Sequence, residues 1–174
     1  MLLTDQLEEK VKIHSHNTMR YAVQLAKDAG LDEKEIYQVQ VAANLHDIGK
    51  LAIPEEILMK PGKLTEEERK IIMGHAAYGD EILKDIFSVE IRRMVRYHHE
   101  NEDGSGYHHL LGDQIIYGAK IIHICDVYDA LASDRPYRRA WPDEEVLQYI
   151  REQSGHMFDP ELTNIFLKMK MKEE

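Results

Sequence analysis

The 174-residue sequence predicts an all-α protein, and three observations support that fold class. Apolar residues recur roughly every three or four positions along most of the chain, as they do on one face of a helix. No segment shows the sustained alternation of apolar and polar residues that indicates a strand. Glycine, proline and capping residues divide the chain at intervals expected of helix ends. We therefore expect a compact multi-helix bundle that forms a single domain over residues 1–174.

The first half of the chain is predicted to contain three helices. Gly30 ends the first of them. After the second, Pro54 and the run Lys60-Pro61-Gly62-Lys63 indicate turns. Thr65 and Glu68 have the spacing of a capping box, which predicts the start of the third helix. The three helices are expected at about residues 3–29, 33–48 and 65–84.

The second half is predicted to contain four more helices around one loop. The stretch 100–113 is polar and contains Gly104, Gly106 and Gly112, so it is interpreted as a loop. A long apolar segment follows and predicts a buried helix. The four helices are expected at about residues 88–99, 114–133 and 143–153, and from Asp159-Pro160 onward.

The composition excludes several classes of protein. No apolar run approaches the roughly 20 residues that cross a bilayer, and we see no signal peptide, so we expect a cytoplasmic protein without membrane attachment. The formal net charge of −10 disfavours binding of long nucleic acid, although a metal site can still attract a small anion. The lone Cys125 cannot form an intrachain disulfide, and it is interpreted as a core residue together with His123.

The most informative feature is the position of histidine and aspartate residues on the apolar faces of five predicted helices. A single buried histidine is usually a satisfied core residue, but several buried polar groups without partners would each cost on the order of several kcal/mol. Convergence on metal ions would satisfy them, and imidazole and carboxylate suit divalent Fe, Mn, Zn or Ni. These residues are His14, His46, His75, His98, His99, Asp126 and Asp129, with Asp47 next to His46.

An ordered set of motifs resembles the HD-GYP family, bacterial phosphodiesterases that hydrolyse cyclic di-GMP. The resemblance extends from about His14 to Phe158-Asp159-Pro160. An isolated His-Asp pair would be weak support, whereas the complete ordered set is specific. The motifs are His46-Asp47-Ile48-Gly49-Lys50, His98-His99-Glu100, Asp103-Gly104-Ser105-Gly106-Tyr107, Asp126-Val127-Tyr128-Asp129-Ala130 and Ser133-Asp134-Arg135-Pro136-Tyr137-Arg138.

The resemblance implies a set of metal ligands that divides into two groups. His16 competes with His14 for the position on the first helix, but Ser15 and Tyr21 match the family in the His14 register. One metal is expected on His14, His46, Asp47 and Asp126. A second is expected on His75, His98, His99 and a bridging Asp47.

One departure from the family concerns the number of metals. Some members hold a third metal with a glutamate one turn before the first histidine, and Lys10 occupies that position here. We therefore expect two divalent ions. Fe and Mn are the expected metals, and Zn and Ni are alternatives in crystals.

A second departure concerns the motif that names the family. It ends in Gly-Tyr-Pro, whereas this chain has Gly106-Tyr107-His108. Proline fixes φ, so His108 relaxes a constraint on the loop and adds a titratable group near the site. Altered substrate preference, slower turnover and loss of activity all stay open, although the complete ligand set argues against full degeneration.

The resemblance also implies roles for residues that hold no metal. Lys50 would position the nucleophile or bind a phosphate oxygen, Arg135 and Arg138 would bind phosphate, and Tyr107 would contact the substrate. Simpler alternatives are a solvated lysine at a helix end, surface arginines and a tyrosine that only packs. Asp129 is expected to orient a histidine ligand.

The leading hypothesis is a metal-dependent phosphodiesterase that converts cyclic di-GMP, or a related cyclic dinucleotide, to linear dinucleotide or GMP. A metal-activated hydroxide would attack phosphorus, with Asp47 as the catalytic bridge between the metals. Two alternatives stay open: an HD-type nucleotidase acting on mononucleotides, and a non-catalytic receptor for a cyclic dinucleotide. A homodimer paired through the first helix, or a regulatory protein partner, is compatible with the sequence.

Overall fold

The computed structural model describes residues 9–134 and 138–172, and within these ranges the secondary structure is helical without strands. The predicted fold class is confirmed. The predicted capping box is present, because the amide of Glu68 donates to Thr65 Oγ1 at 3.2 Å and the amide of Thr65 donates to Glu68 Oε2 at 2.8 Å. The helices are α1 (Glu9–Asp28), α2 (Glu33–Leu45), α3 (Glu55–Leu58), α4 (Glu66–Met73), α5 (His75–Ile82), α6 (Val89–Tyr97), α7 (Tyr117–Ala132), α8 (Asp143–Glu152) and α9 (Pro160–Met171).

The helix expected from Thr65 to about residue 84 is divided at Gly74 into α4 and α5. The amide of Gly74 is shared between the carbonyls of Lys70 and Ile71, both at 3.1 Å. Such three-centre bonds are common where a helix ends. His75 therefore becomes the first residue of a new helix instead of lying in the middle of a longer one.

The second helix also ends earlier than predicted, at Leu45. A 3-10 turn over Ile48–Ala52 follows, and the amide of Lys50 donates to the carbonyl of Asp47 at 2.9 Å. His46 keeps helical dihedrals, and the chain leaves the α-helical path at Asp47, where φ is −95° and ψ is 3°. The two adjacent side chains face one region, since His46 Nε2 lies 3.6 Å from Asp47 Oδ2.

In one continuous third helix, the sequence predicts that Ile71 and Tyr78 share the apolar face of His75, because they lie four and three residues from it. In the structure these two side chains are 37% and 43% exposed. The buried side of α5 carries Ala76 and Gly79 instead. These small residues let α5 approach the 3-10 turn closely.

Helix α7 lies at the centre of the bundle and contacts α1, α2, α6, α8 and α9. The residues of α7 without exposed surface are Ala119, Ile121, Ile122, Ile124 and Cys125. Burial of one isoleucine side chain contributes about 1.5–3 kcal/mol, so this helix anchors the fold.

Neither α7 nor any other helix in the described ranges has the length and hydropathy that crossing a bilayer requires.

The contact between α5 and the 3-10 turn depends on Gly49. A Cβ atom at this position would overlap the carbonyl oxygen of His75 and the amide nitrogen of Gly79. Both are backbone atoms, so no side-chain rotation can make room. The glycine therefore fixes how closely α5, and with it His75, approaches the end of α2.

We expect Gly49→Ala to destabilise the fold by about 3 kcal/mol or more, because the overlap can be relieved only by moving backbone. Gly30→Ala is the matched control, since Gly30 has a φ of 79° and no atom within 4 Å of an added Cβ. Its left-handed backbone alone would cost about 1–2 kcal/mol. Urea unfolding of the metal-free variants, followed by circular dichroism, measures both changes. Equal losses would contradict the close approach at Gly49.

Candidate metal centre

The fold brings together the metal ligands predicted from the sequence. They come from the middle of α1, the end of α2, the start of α5, the end of α6 and the middle of α7. His14 and His99 are partly exposed toward a cleft, and the other ligands are buried. The competing residue His16 is exposed on α1. The assembled residues are His14, His46, Asp47, His75, His98, His99 and Asp126.

Three of these histidines are held in the same way by backbone carbonyls. In His46, His75 and His98, Nδ1 lies within hydrogen-bond distance of the carbonyl oxygen three residues earlier. A carbonyl oxygen only accepts, so each Nδ1 carries the ring proton and each Nε2 presents a lone pair. The acceptors are the carbonyls of Ala43 at 2.7 Å, Ile72 at 2.7 Å and Val95 at 2.6 Å.

The lone pairs of these rings face one another in the core. Nε2 of His75 and Nε2 of His98 are 3.4 Å apart, and neither has a proton to donate to the other. Nε2 of His46 is buried without a hydrogen-bond partner. Buried polar atoms of this kind are costly unless something satisfies them. A cation between the rings would do so, and the donor set therefore fits a metal ion.

The carboxylate of Asp47 faces histidines from two different helices. Its Oδ2 lies 3.6 Å from His46 Nε2, and its Oδ1 lies 3.5 Å from His75 Nε2. Lys50 donates to Oδ2 at 2.6 Å. Burial opposes ionisation of Asp47, but the Lys50 ammonium and nearby imidazoles outweigh it and hold the pKa of the carboxyl well below its usual range. Asp47 is therefore ionised and presents one oxygen to each side.

His14 lies between two carboxylates of α7. Its Nε2 is 2.8 Å from Asp126 Oδ1, and its Nδ1 is 2.6 Å from Asp129 Oδ2. Burial opposes protonation, but the hydrogen bonds to Asp126 and Asp129 outweigh it and raise the pKa of His14 to about 9. A metal ion on Nε2 would replace the proton there and leave Nδ1 bonded to Asp129. Asp129 thus lies where a residue that orients His14 has to lie.

His75, His98 and His99 are neutral, which is the form that binds metal. Burial lowers the pKa of His99 to about 3, against the opposing charge of Asp126. Burial and neighbouring imidazoles lower the pKa of His98 well below its ordinary value, and burial also lowers the pKa of His75. These rings accordingly present lone pairs instead of positive charge.

Among the described residues, three groups of donor atoms could each hold a metal ion, because the atoms of each group lie within 4.8 Å of one another. A cleft of about 430 Å³ opens onto them, lined on this side by His14, Asp47, His99 and Asp126. That volume is typical of a site for a small molecule. The groups are His75 with His98 and His99, His14 with His46 and Asp126, and His46 with Asp47 and His98.

The loop after α6 supplies another wall of the cleft. Gly106 packs directly on the backbone of residues 99–101, where a Cβ atom would overlap Glu100. This close approach brings the ring of Tyr107 to 4.7 Å from the ring of His99, measured between centroids. Burial raises the pKa of Tyr107, so its hydroxyl stays protonated and can donate a hydrogen bond into the cleft.

The histidine that replaces the family's proline acts on the loop through its backbone. The amide of His108 donates to Glu100 Oε1 at 2.7 Å, and the amide of Leu110 donates to Oε2 at 2.9 Å. Proline has no N–H, so the first of these bonds requires a residue other than proline. The His108 ring packs on Tyr97 with centroids 5.4 Å apart, outside the cleft lining. The hydrogen bond from the His108 amide to Glu100 therefore restrains the loop backbone where a proline ring would otherwise restrain it.

Of the two arginines predicted to bind phosphate, the structure describes Arg138. The guanidinium of Arg138 donates to the carbonyls of Ala130 and Leu131 at the end of α7. It also lies 5.7 Å from the centroid of the Trp141 ring. In this position it caps α7 and does not line the cleft, so its contact with substrate stays a prediction. Arg135 lies outside the described residues.

Three residues that line the cleft were missed or assigned another role. His123 was interpreted as a core residue, but it precedes Asp126 by three positions, and this helical spacing places both on one face of α7. Asn101 and Ser105 line the cleft from the loop. Their segment has no periodicity, so the sequence carried no signal of where their side chains lie.

Curated relatives share the sequence over most of this chain. It is 40% identical over 154 residues to the cyclic di-GMP phosphodiesterase response regulator RpfG of Xanthomonas campestris, covering 86% of this chain and 41% of that protein. It is 40% identical over 159 residues to 3′3′-cGAMP-specific phosphodiesterase 2 of Vibrio cholerae, covering 89% of this chain and 30% of that protein. The chain thus spans less than half the length of both relatives.

The fold and the family profile agree with these relatives. The HD domain of the Listeria monocytogenes phosphodiesterase PgpH, solved in complex with cyclic-di-AMP, superposes with a TM-score of 0.73 at 20% identity. The match covers 98% of this chain and 92% of that one, and it establishes likeness of fold. The profile of the HD domain family matches residues 1–162. Because that match spans most of the sequence, the chain belongs to the HD domain family.

Proposed function

We propose that this chain is a metal-dependent phosphodiesterase that hydrolyses a cyclic dinucleotide, cyclic di-GMP or a close relative of it, to linear dinucleotide or GMP. The observation that carries the proposal is the set of imidazole lone pairs and carboxylate oxygens that converge at one side of the cleft. The names of the relatives from Xanthomonas and Vibrio support a cyclic dinucleotide as the substrate.

The proposed cofactors are two divalent ions, with Fe or Mn expected. One would be held by His14, His46, Asp47 and Asp126, and the other by His75, His98, His99 and Asp47. Two of the donor groups support this division, since one contains His14, His46 and Asp126 and the other contains His75, His98 and His99. The third group, in which Asp47 lies with His46 and His98, supports Asp47 as the ligand shared by both ions. Bound ions of this kind would lower the pKa of a water molecule and neutralise charge on phosphoryl oxygens.

Lys50 and Tyr107 are the residues proposed to act on the phosphate directly. Both line the cleft, and Lys50 already forms an ion pair with Asp47 over 2.6 Å. Its ammonium has three donors, so it can hold Asp47 and still donate to a phosphate oxygen. The hydroxyl of Tyr107, whose ring lies against that of His99, is a second donor in the cleft. Together they would orient the phosphate and stabilise charge that develops on it.

We expect anaerobically purified protein to hydrolyse cyclic di-GMP after reconstitution with Fe(II) or Mn(II), and Asp47→Ala to lose both metal and activity. Loss of the bridging carboxylate should lower turnover about a thousandfold, because it removes several kcal/mol of metal-dependent stabilisation. Asp85→Ala is the matched control, since Asp85 is an exposed carboxylate in the turn after α5. Product chromatography and elemental analysis measure the two effects.

The outcomes of that experiment separate the remaining candidates. Turnover of mononucleotides without turnover of cyclic dinucleotides would replace the proposal by a nucleotidase. Binding of cyclic di-GMP without turnover at full metal occupancy would replace it by a receptor. Full activity of Asp47→Ala would refute the assignment of the site itself.

Lys50→Ala is expected to lower kcat about a hundredfold, as loss of one donor to a developing negative charge typically does. Metal content should stay at the wild-type level, because removing the ammonium leaves the oxygens of Asp47 free for the ions. Steady-state kinetics with metal analysis of the same samples makes the comparison. A variant that loses its metal would contradict the role assigned to Lys50.

A further inference from the structure

A chain of hydrogen bonds holds the carboxamide of Asn101 at the cleft. His123 Nε2 and Asn101 Oδ1 are 3.0 Å apart, and Asn101 Nδ2 lies 2.9 Å from Ser105 Oγ. Ser105 Oγ in turn lies 2.6 Å from Asp103 Oδ1. Asn101, Ser105 and His123 all line the cleft, and His123 is only 4% exposed. No role proposed above for the metal centre uses these residues.

Asp103, the last member of this series of hydrogen bonds, decides which atom donates and which accepts in each of them. Asp103 only accepts, so the single hydroxyl proton of Ser105 is donated to it. Ser105 Oγ therefore accepts from the amide nitrogen of Asn101, and the amide oxygen faces His123. An amide oxygen only accepts, so this contact requires that His123 donates from Nε2.

This arrangement leaves Asn101 with one unused group, the second hydrogen on Nδ2. The oxygen is engaged by His123 and the first hydrogen by Ser105, so the amide cannot turn without breaking both bonds. A free asparagine offers a donor and an acceptor side by side, and that pair matches adenine N6 and N7. A locked amide that presents only a donor matches the two acceptors of guanine, O6 and N7.

The position along the cleft suits a base more than a phosphate. The ring centroids of His99 and His123 are 6.3 Å apart, and Asn101 lies on the Nε2 side of His123. Asn101 lines the cleft from the loop and lies outside the set of proposed metal donors, so a phosphate bound at those metals would leave the carboxamide to another part of the ligand, such as a base. Val127 and Met157 line the same cleft and offer apolar surface against which a purine can pack.

We propose that Asn101, locked by His123 and Ser105, reads the guanine edge and makes the cleft selective for cyclic dinucleotides that carry guanine. The inference rests on the proposed function for the class of ligand. It does not require that the ligand be hydrolysed.

The test compares cyclic di-GMP with cyclic di-AMP in the metal-loaded protein, both as substrates and as ligands captured on filters within seconds of mixing. Wild-type protein should prefer cyclic di-GMP by about tenfold or more. Asn101→Ala should lower kcat/KM for cyclic di-GMP about threefold to tenfold, while cyclic di-AMP changes less than about twofold and metal content is unchanged. Asn164→Ala, which removes an exposed amide on α9, is the control expected to change neither.

Two further variants test the lock itself. His123→Phe keeps a ring of similar size but releases the amide oxygen, so the amide can turn and present its acceptor. Binding of cyclic di-AMP should then increase, a gain that general damage to the fold would not produce. Asn101→Asp replaces the donor by acceptor oxygens and should weaken cyclic di-GMP more than Asn101→Ala does.

The results distinguish failure of this inference from failure of the proposed function. If the protein binds cyclic di-GMP in preference to cyclic di-AMP but hydrolyses neither, the inference is supported and the proposed phosphodiesterase activity is contradicted. If Asn101→Ala lowers kcat/KM or affinity equally for both ligands, the amide contacts the sugar-phosphate that they share. That result would overturn the recognition of guanine by Asn101. A wild-type protein without preference would overturn it as well.

Discussion

The fold is organised around buried imidazole nitrogens whose lone pairs find no hydrogen-bond donor among the described residues. Nε2 of His46 has no hydrogen bond, and Nε2 of His75 faces Nε2 of His98. A helical bundle of this size would ordinarily fill such a volume with apolar side chains, which need no partner. Helices α2 and α4 instead end at Leu45 and Met73, close to the residues that supply the donors.

The two sides of the cleft are built in different ways. The side with the metal donors is held by helix packing, by carbonyls that fix the imidazole rings and by the close approach at Gly49. The opposite side is a loop tied down by the buried carboxylate of Glu100, which accepts from two loop amides. A rigid side suits positioning of ions, whereas a loop can change sequence and alter the ligand without disturbing the bundle.

Much of this arrangement could be predicted from the sequence because the signals were periodic or ordered. A histidine on an apolar stripe, repeated on several helices, indicated a shared buried site, and the motif from His46 to Lys50 indicated its family. The break at Gly74 was not predicted, since one capping box and one continuous pattern are compatible with a single helix. Asn101 was missed because a loop side chain is placed by hydrogen bonds that no local pattern encodes. Arg138 matched a motif, yet its guanidinium caps α7 through local geometry that the motif does not describe.

The carbonyls that fix the imidazoles have a further consequence for charge. Ala43, Ile72 and Val95 lie in the last turns of α2, α4 and α6, so three helices direct their C-terminal ends at one place. Each such end carries a partial negative charge of about half an elementary unit, and the ionised aspartates add to it. The ammonium of Lys50 and the protonated ring of His14 offset this field only in part. The described residues alone therefore favour a cation and disfavour a phosphate at this place. If the proposed function holds, we expect the metal ions to bind before the anionic ligand, because they would reverse the sign of the local potential.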